Sequence, residues 1–369
     1  MHAVASRAPM STSPVARLLA SVPAPLRGVF PFLVAVPVLA LVHGVTAGAP
    51  FFVILALTVG VNVILAVSLN IVNGMTGQFS IGHAGFMAVG AYTAGLTSKT
   101  LSEYGLTFLP GAVSDQLMFA VSLCAGGVVA ALFGFLVGLP SLRLKGDYLA
   151  IVTLGFGEII RVVVQNTEVL GRALGMRDVP QWTSLFSCWF IVFLTIVVAR
   201  RIAASTHGRS LLAIREDEIA AEAMGVNTTA YKVRSFVVAA FFAGLAGGVF
   251  AHYQSIVNPG SFTFVKSMEI VVMIVAGGLG STTGAVVAAV FLTLLPEALR
   301  SIFIGLGVPA DVAQLVDQAR MPIYGILLVL IMLLRPQGLF GTRELWDFGP
   351  FKLKGPGASS PRPREGGPL

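Results

Sequence analysis

Charged side chains are scarce in this sequence: Asp, Glu, Lys and Arg make up only 11% of its 369 residues. Hydrophobic residues make up 56%, and the mean hydropathy is +0.86. A water-soluble fold of this size cannot enclose that much apolar surface. The composition therefore excludes an ordinary soluble domain and indicates an integral membrane protein.

Several chemical signatures are also missing. The two cysteines, Cys124 and Cys188, fall inside apolar runs and form no CxxC pair, which argues against a disulfide framework. The sequence has no GxxxxGK[ST] motif, so it contains no P-loop for the phosphates of ATP. No motif assembles a catalytic triad or paired carboxylates, and no second ligand lies at metal spacing from His83. We therefore predict a protein that is not an enzyme and has no cofactor or metal.

The sequence does contain a series of apolar runs long enough to cross a bilayer. Every spanning segment must satisfy its own backbone hydrogen bonds, and runs of this length favour helices over a β-barrel. The predicted fold class is therefore all-α, a polytopic helical bundle in a membrane. The predicted spans are 29–45, 51–72, 79–96, 117–139, 148–164, 185–199, 236–253, the two halves of 268–299, and 322–334.

The stretch 268–299 decides the number of spans. As one helix its 32 residues would be about 48 Å long, against a hydrocarbon layer of ~30 Å. It contains GGLGSTTG at 277–284, where helix propensity is poor. A turn at these glycines gives ten spans and places the basic C-terminal tail in the cytoplasm. Segments rich in Lys and Arg favour that side of the membrane. A partly re-entrant hairpin stays open as an alternative, because both halves are short.

Ten spans place both termini in the cytoplasm. Seventeen Lys and Arg residues then lie on the inner side and six on the outer side, which with Arg161 inside a span accounts for all 24. The net charge of +7 therefore indicates retention on the cytoplasmic face rather than a nucleic-acid partner. The predicted domains are a cytoplasmic segment at 1–28, a transmembrane domain at 29–335 with a cytoplasmic loop at 208–235, and a cytoplasmic, largely disordered tail at 336–369.

The predicted loop reads GRSLLAIREDEIAAEAMGVNTTAYKVRS and is a charged, amphipathic insert. The spacing predicts a short helix from about Arg215 to Met224, with acidic residues near its start and Gly225 as its C-terminal stop. Helices that lie on lipid usually display Lys and Arg, whereas this one is acidic with a small apolar face that includes Ala220. It therefore suits a groove in a soluble protein. The expected contact residues are Arg215, Glu216, Asp217, Glu218, Ile219, Glu222, Ala223, Met224 and Gly225.

The segment GRSLLAIREDEIAAEAMG resembles the coupling loop of bacterial ABC importer permeases, in the version found in branched-chain amino acid permeases of the LivM type. The resemblance extends to LNIVNGMTGQFSIGHAGFMAVGAY at 69–92, LRLKGDYLAIVTLGFGEIIRVV at 142–163 and VAGGLGSTTGAVVAA at 275–289. These motifs occur in the expected order and together cover most of the chain from 51 to 336.

The resemblance implies a permease subunit with about ten helices and the broad architecture of vitamin B12-type importers. It implies import of branched-chain, hydrophobic amino acids across a bacterial inner membrane. The implied partners are two cytoplasmic ATP-binding subunits, a second related permease and a periplasmic amino-acid-binding protein. Urea, short amides or sugars are alternative cargoes within the family. An ion-coupled secondary transporter is the alternative from another class, and it leaves the acidic loop helix unexplained.

Polar groups within spans are costly, so each is a candidate for the substrate pathway. Glu158 and Arg161 lie three residues apart, which suits either a structural pair or contacts to a zwitterionic substrate. Asn62 shares one face with two further asparagines, for which helix-to-helix hydrogen bonds and pore lining both fit. The segment NGMTGQFSIGHAG at 73–85 suggests a broken helix, with Gly82 and Gly85 allowing close helix contact. The candidate pathway residues are Asn70, Asn73, Gln78, Ser80, His83, Glu158 and Arg161.

Lys266 and Glu269 flank the start of the predicted eighth span. We expect an ordinary interfacial anchor there, with an external charge pair that meets the binding protein as the alternative.

Overall fold

The computed structural model describes residues 50–104, 111–141 and 148–305, together with Pro322, Gly325, Ile326, Gly338 and Gly341. The predicted first span, the segment 1–28 and, apart from these isolated positions, the last span and the tail lie outside the described residues. The helices are α1 Pro50–Asn73, α2 His83–Tyr104, α3 Gly111–Ser141, α4 Tyr148–Asn166, α5 Leu185–Ala204, α6 Thr206–Glu216, α7 Glu218–Ala223, α8 Thr228–Gln254, α9 Phe264–Gly277 and α10 Thr282–Gly305.

The all-α class is confirmed. Within the described ranges the structure contains helices and 3₁₀ turns but no named strand, and its single β-bridge joins Met176 to Val257. Six of the described helices are long and apolar enough to cross a membrane, namely α1, α3, α4, α5, α8 and α10. The chain is therefore a multi-pass helical membrane protein, while the count of ten spans stays a prediction.

The turn predicted within 268–299 is present. Helix α9 ends at Gly277 and α10 begins at Thr282, and Gly278 and Gly280 between them have φ angles of 113° and 91°. Helix α9 has only 14 residues, or about 21 Å at 1.5 Å per residue. It is shorter than the hydrocarbon layer, as expected for one arm of a hairpin.

Helix α8 is at the centre of the bundle, where it packs against α1, α2 and α3. Glycine permits the closest of these contacts. A Cβ on Gly90 of α2 would lie 2.2 Å from the carbonyl oxygen of Gly244 on α8. In a membrane, where lipid tails are as apolar as side chains, such close backbone packing holds helices together.

Helix α2 begins later than predicted. The sequence predicted a span from 79, but the backbone is irregular after α1 and helix resumes only at His83. Glycine-rich sequence has poor helix propensity, and Asn73 instead bonds to the backbone of Ser80 across this segment. The predicted break in the helix is therefore confirmed. It is the connection between α1 and α2 and does not interrupt a single helix.

The predicted loop at 208–235 is mostly helical, and the predicted helix at 215–224 has the wrong boundaries. Arg215 and Glu216 end α6, Asp217 interrupts the helix with φ −156°, and α7 follows as a separate helix. The reason is local hydrogen bonding. Asp217 Oδ1 accepts the N–H groups of Ile219 and Ala220, at 2.9 and 3.0 Å, and so caps a new helix.

The C-terminal stop of α7 is as predicted. Gly225 has φ 84° and donates to the carbonyl of Glu222 at 2.9 Å, while the N–H of Val226 reaches the carbonyl of Ala221 at 3.0 Å. These two bonds form a Schellman motif, which needs a residue in the left-handed region. A fixed stop here gives α7 a defined length and orientation.

Candidate coupling and transport site

Arg215 links the insert to the transmembrane helices. Its Nη1 donates to the carbonyl oxygen of Gly74, just past the end of α1, at 2.8 Å. A Cβ on Gly280, in the α9–α10 turn, would lie 2.8 Å from the same Nη1, and one on Gly77 would lie 2.9 Å from the Arg215 Cγ. One side chain at the end of α6 therefore touches both the α1–α2 segment and the α9–α10 turn. We call this end of the bundle the coupling end.

Asn70, near the end of α1, links that end to the α9–α10 turn. Its side-chain oxygen accepts the backbone N–H of Gly280 at 2.9 Å, and the residue is almost fully buried. Asn70 was a candidate pathway residue. Its amide oxygen joins α1 to the α9–α10 turn, as the helix-to-helix alternative expects. Its amide nitrogen is buried without a partner among the described residues, and the pathway role stays a prediction.

Gly74 is in the tightest part of this contact, because an added Cβ would lie 2.5 Å from the Gly280 nitrogen and 2.1 Å from the Asn70 side-chain oxygen. We expect Gly74→Ala to cost about 1–3 kcal/mol, the usual penalty of overpacking. The unfolding temperature in detergent should fall by several degrees. Gly155→Ala is the matched control, because a Cβ there meets nothing within 4 Å and alanine favours the helix. Equal stability of the two variants would contradict this packing.

The apolar face predicted on the insert is exposed. Ile219 is 73% and Met224 84% accessible, and Ala220 and Ala223 are exposed beside them. The opposite side of α7 is turned inward, where Ala221 is buried. An exposed apolar surface on a helix that is otherwise well held is typical of a protein interaction site.

Two of the predicted acidic contact residues hold α7 in place. Glu218 Oε1 accepts from Lys232 Nζ at 2.6 Å, and Glu222 Oε1 accepts from the Thr228 hydroxyl at 2.6 Å. Lys232 is only 4% exposed on α8. Glu216, by contrast, is largely exposed and lies 3.8 Å from the Arg215 Nε. The side chains of Glu218 and Glu222 thus attach α7 to α8, whereas the apolar side chains form the exposed surface of α7.

The segment 73–85 lies at the coupling end. The Asn73 side chain forms two hydrogen bonds with the backbone of Ser80. Its amide nitrogen donates to the Ser80 carbonyl and its amide oxygen accepts the Ser80 N–H, both at 3.2 Å. His83 Nε2 lies 2.8 Å from the Ser68 hydroxyl and joins the start of α2 to α1. Within the described residues, Gln78 Oε1 and Ser80 Oγ are buried without a hydrogen-bond partner.

Gly82 and Gly85 allow the close helix contact that the sequence predicted. A Cβ on Gly82 would lie 2.2 Å from the Thr153 carbonyl oxygen, and one on Gly85 would lie 2.8 Å from the Gly157 Cα. The Thr153 hydroxyl also accepts the N–H of Ile81 at 3.1 Å. The α1–α2 segment is therefore packed directly on α4.

Glu158 and Arg161 form the predicted pair on α4, at 2.7 Å. Glu158 Oε1 also accepts the backbone N–H of Phe264, the first residue of α9, at 3.3 Å. A carboxylate at a helix N-terminus is favourable, because it faces the positive end of the helix dipole. This geometry favours a structural role that attaches α4 to α9.

We expect the double variant Glu158→Met and Arg161→Met to keep substrate uptake within about twofold of the unsubstituted protein, because a partly exposed pair is worth ~1 kcal/mol or less. Uptake normalised to the amount of inserted protein is the measurement. A loss of uptake with normal insertion and thermal stability would assign the pair to the substrate pathway instead.

Lys266 and Glu269, for which we expected an ordinary interfacial anchor, form an ion pair that contacts other helices of the bundle. Lys266 Nζ donates to Glu269 Oε2 at 3.1 Å and to Asn62 Oδ1 at 2.9 Å, and Glu269 is only 8% exposed. Asn62 is at the middle of α1 and also donates to the Thr293 hydroxyl on α10 at 2.9 Å. Lys266, in the first turn of α9, is therefore level with the middle of α1 and not with its end.

Sequence reasoning missed Gly74, Gly280, Lys232 and Thr293 as contact residues. The glycine clusters did mark turns, but which turn meets which depends on the packing of helices distant in sequence. Lys232 carries a usable signal, since it lies fourteen residues from Glu218 with only the short α7 and a turn between them.

Comparison with known proteins identifies the family. A family model described as "Branched-chain amino acid transport system / permease component" matches residues 51–334. The LivM permease protein of Salmonella typhimurium is 36% identical over 312 residues, covering 75% of this chain and 67% of the relative. LivM of Escherichia coli K12 is 35% identical over 343 residues, covering 84% and 74%.

A second kind of permease is also similar. The LivH permease protein of Escherichia coli K12 is 24% identical over 324 residues, covering 82% of this chain and 95% of the relative. No solved structure matches the chain. The helical membrane fold and the match over most of its length agree, and the chain belongs to the family of branched-chain amino acid ABC transport permeases, of the LivM type.

Proposed function

We propose that this permease subunit forms the translocation pathway of an ATP-driven importer for branched-chain amino acids. The cargo is inferred from the relatives, which are named as permeases of branched-chain amino acid transport systems. The observation that carries the ATP-driven mechanism is the exposed apolar face of α7, joined through Arg215 to the α1–α2 segment and the α9–α10 turn.

Two cytoplasmic ATP-binding subunits supply the energy in this proposal. One of them docks on Ile219, Ala220, Ala223 and Met224, as an apolar helix face fits a groove in a soluble protein. Glu218 and Lys232 hold α7 against α8, so a displacement of α7 is passed on as a rigid-body movement. Arg215 then transfers that movement to Gly74 and Gly280, which lie at the coupling ends of α1, α9 and α10.

The remaining partners are a second, LivH-like permease and a periplasmic amino-acid-binding protein. The subunit lies in the bacterial inner membrane with both termini in the cytoplasm, as the distribution of Lys and Arg favours. Gln78 and Ser80 are at the cytoplasmic end of the pathway in this arrangement. Their buried, unpartnered oxygens suit polar contacts with a departing amino acid.

Reconstitution tests this proposal. The subunit is assembled in liposomes with its partner permease and ATPases, and uptake of radiolabelled leucine, isoleucine, valine, urea and a simple sugar is measured with the binding protein present. We expect uptake of the three amino acids only, and only with ATP. Uptake of urea or sugar in their place would replace the proposed cargo.

A further inference from the structure

A charged cavity lies between α1, α9 and α10, away from the coupling end. Its volume is about 150 Å³, far above the ~10–15 Å³ that one water molecule needs. Lys266, Glu269 and Glu297 all line it. Ionisable side chains within membrane helices are costly and usually mark a substrate or ion pathway.

Helix geometry gives the depth of this cavity. Asn62, which also lines it, is the thirteenth of the 24 residues of α1 and so lies at mid-length. Phe51, at the other limit of the lining, is the second residue of α1 and lies about 16 Å further from the coupling end at 1.5 Å per residue. The cavity therefore extends from the middle of the bundle toward the end that faces away from the ATPases, and transporters commonly bind their cargo near the midplane.

The described contacts leave bonding capacity unused on both signs of charge in the cavity. The Lys266 ammonium has three N–H donors, and the described contacts use two of them, to Asn62 and Glu269. The Glu297 carboxylate forms no hydrogen bond or ion pair with any residue that the structure describes. A cation with a spare donor and a carboxylate thus share one small cavity.

The rest of the lining is mixed: Thr58, Asn62 and Thr293 are polar, and the other four residues are apolar. Phe51, Ile54 and Leu55 contribute from α1, and Pro296 contributes from α10. A ligand that matches this lining has an ammonium and a carboxylate at one end and an aliphatic group at the other. Hydrophobic amino acids have this structure, whereas urea and sugars have neither charge.

We propose that this cavity is the cargo-binding site of the subunit. Glu297 binds the ammonium of a zwitterionic amino acid, Lys266 binds its carboxylate, and the apolar wall on α1 contacts its side chain. Glu269 and Asn62 are positioning residues that hold the Lys266 ammonium toward the cavity. This inference rests on the proposed function, and it adds a defined site and a recognition chemistry to it.

Cysteine protection tests the site directly. Leu55→Cys is introduced together with Cys124→Ser, since the other native cysteine, Cys188, is fully buried. The assembled transporter is treated with a water-soluble thiol reagent, with and without L-leucine at millimolar concentration. We expect leucine to slow labelling several-fold. 3-Methylbutylamine, which lacks the carboxylate, and 4-methylpentanoate, which lacks the ammonium, should protect much less.

Uptake by charge variants supplies the second measurement. With saturating binding protein, Glu297→Gln should slow leucine uptake about tenfold or more, because a charge-assisted hydrogen bond to the ammonium is replaced by a weaker neutral one. Glu103→Gln is the matched control, since Glu103 is exposed at the far end of α2. It should import leucine at the rate of the unsubstituted transporter.

The outcomes separate the two proposals. Absence of branched-chain amino acid uptake by the unsubstituted transporter would overturn the proposed function, and this site with it. Normal uptake combined with equal labelling of Leu55→Cys in the presence and absence of leucine would overturn the site alone. Labelling that occurs in the isolated subunit but not in the assembled transporter would also overturn it, because the partner permease would then cover this surface.

Discussion

Arg215→Met is expected to leave ATP hydrolysis running while leucine uptake falls about ten- to hundredfold, since a hydrogen bond from a charged group is worth ~1.5–3 kcal/mol. The Arg215 guanidinium contacts both the Gly74 carbonyl and the α9–α10 turn. Methionine keeps most of the side-chain volume but cannot donate to that carbonyl. The variant should therefore bind the ATPases normally and transmit their movement poorly. Uptake and ATP hydrolysis measured in the same liposomes give the ratio.

Arg209→Met is the matched control for this experiment. Arg209 is on the same helix and is exposed, so the substitution removes the same charge without touching the α1–α2 segment. It should leave the ratio of uptake to hydrolysis unchanged. Equal ratios for Arg215→Met and Arg209→Met would mean that coupling does not pass through Arg215.

Ala223→Arg is expected to weaken binding of the ATP-binding subunits by about two to three orders of magnitude, because a buried charge without a partner costs ~3–5 kcal/mol. Ala223 is exposed in the last turn of α7, beside Ile219 and Met224. Arginine is a good helix former and no described residue covers this face, so the permease itself should fold normally. Co-purification of the ATPases measures the effect.

Ala223→Ser serves as the control, because it adds only a hydroxyl group to the same position. It should retain both the ATPases and uptake. If the arginine variant co-purifies with the ATPases as well as the serine variant does, the apolar face of α7 is not the docking surface. The Arg215 and Ala223 variants together distinguish a loss of transmission from a loss of docking.

The fold class and the place of the charged insert between two apolar helices can be predicted from the order of residue types along the chain. Long apolar runs specify helices because backbone groups must be satisfied within each span, and the glycines at 277–284 predicted a turn that is present at Gly278 and Gly280. The stop at Gly225 was also predictable, since a Schellman motif requires a residue that tolerates the left-handed region.

The boundaries within the insert were not predictable from periodicity alone. An acidic run at 216–218 fits the first turn of one continuous helix, yet Asp217 accepts two backbone N–H groups and divides it. Local side-chain capping competes with helix continuation, and its outcome depends on a small difference in energy. Glu218 likewise looks like a surface residue in sequence, but the position of α8 places Lys232 beside it.

The charged residues of α9 show why depth is hard to predict. Lys266 follows a polar loop and precedes an apolar run, which in sequence is typical of an interfacial residue. Its actual depth depends on where the previous helix ends and on the 3₁₀ turn at Pro259–Phe262, which leads α9 into the bundle. Only the contact with Asn62, 204 positions away, reveals that Lys266 is at mid-length of α1.

In the proposed mechanism all energy enters through α7 and Arg215, and the sequence contains no GxxxxGK[ST] motif. The most direct measurement is leucine accumulation in liposomes that contain the subunit, its partner permease and the ATPases. We predict accumulation when ATP is supplied without an ion gradient, and none when a proton or sodium gradient is supplied without ATP. Accumulation driven by either gradient in the absence of ATP would contradict the account.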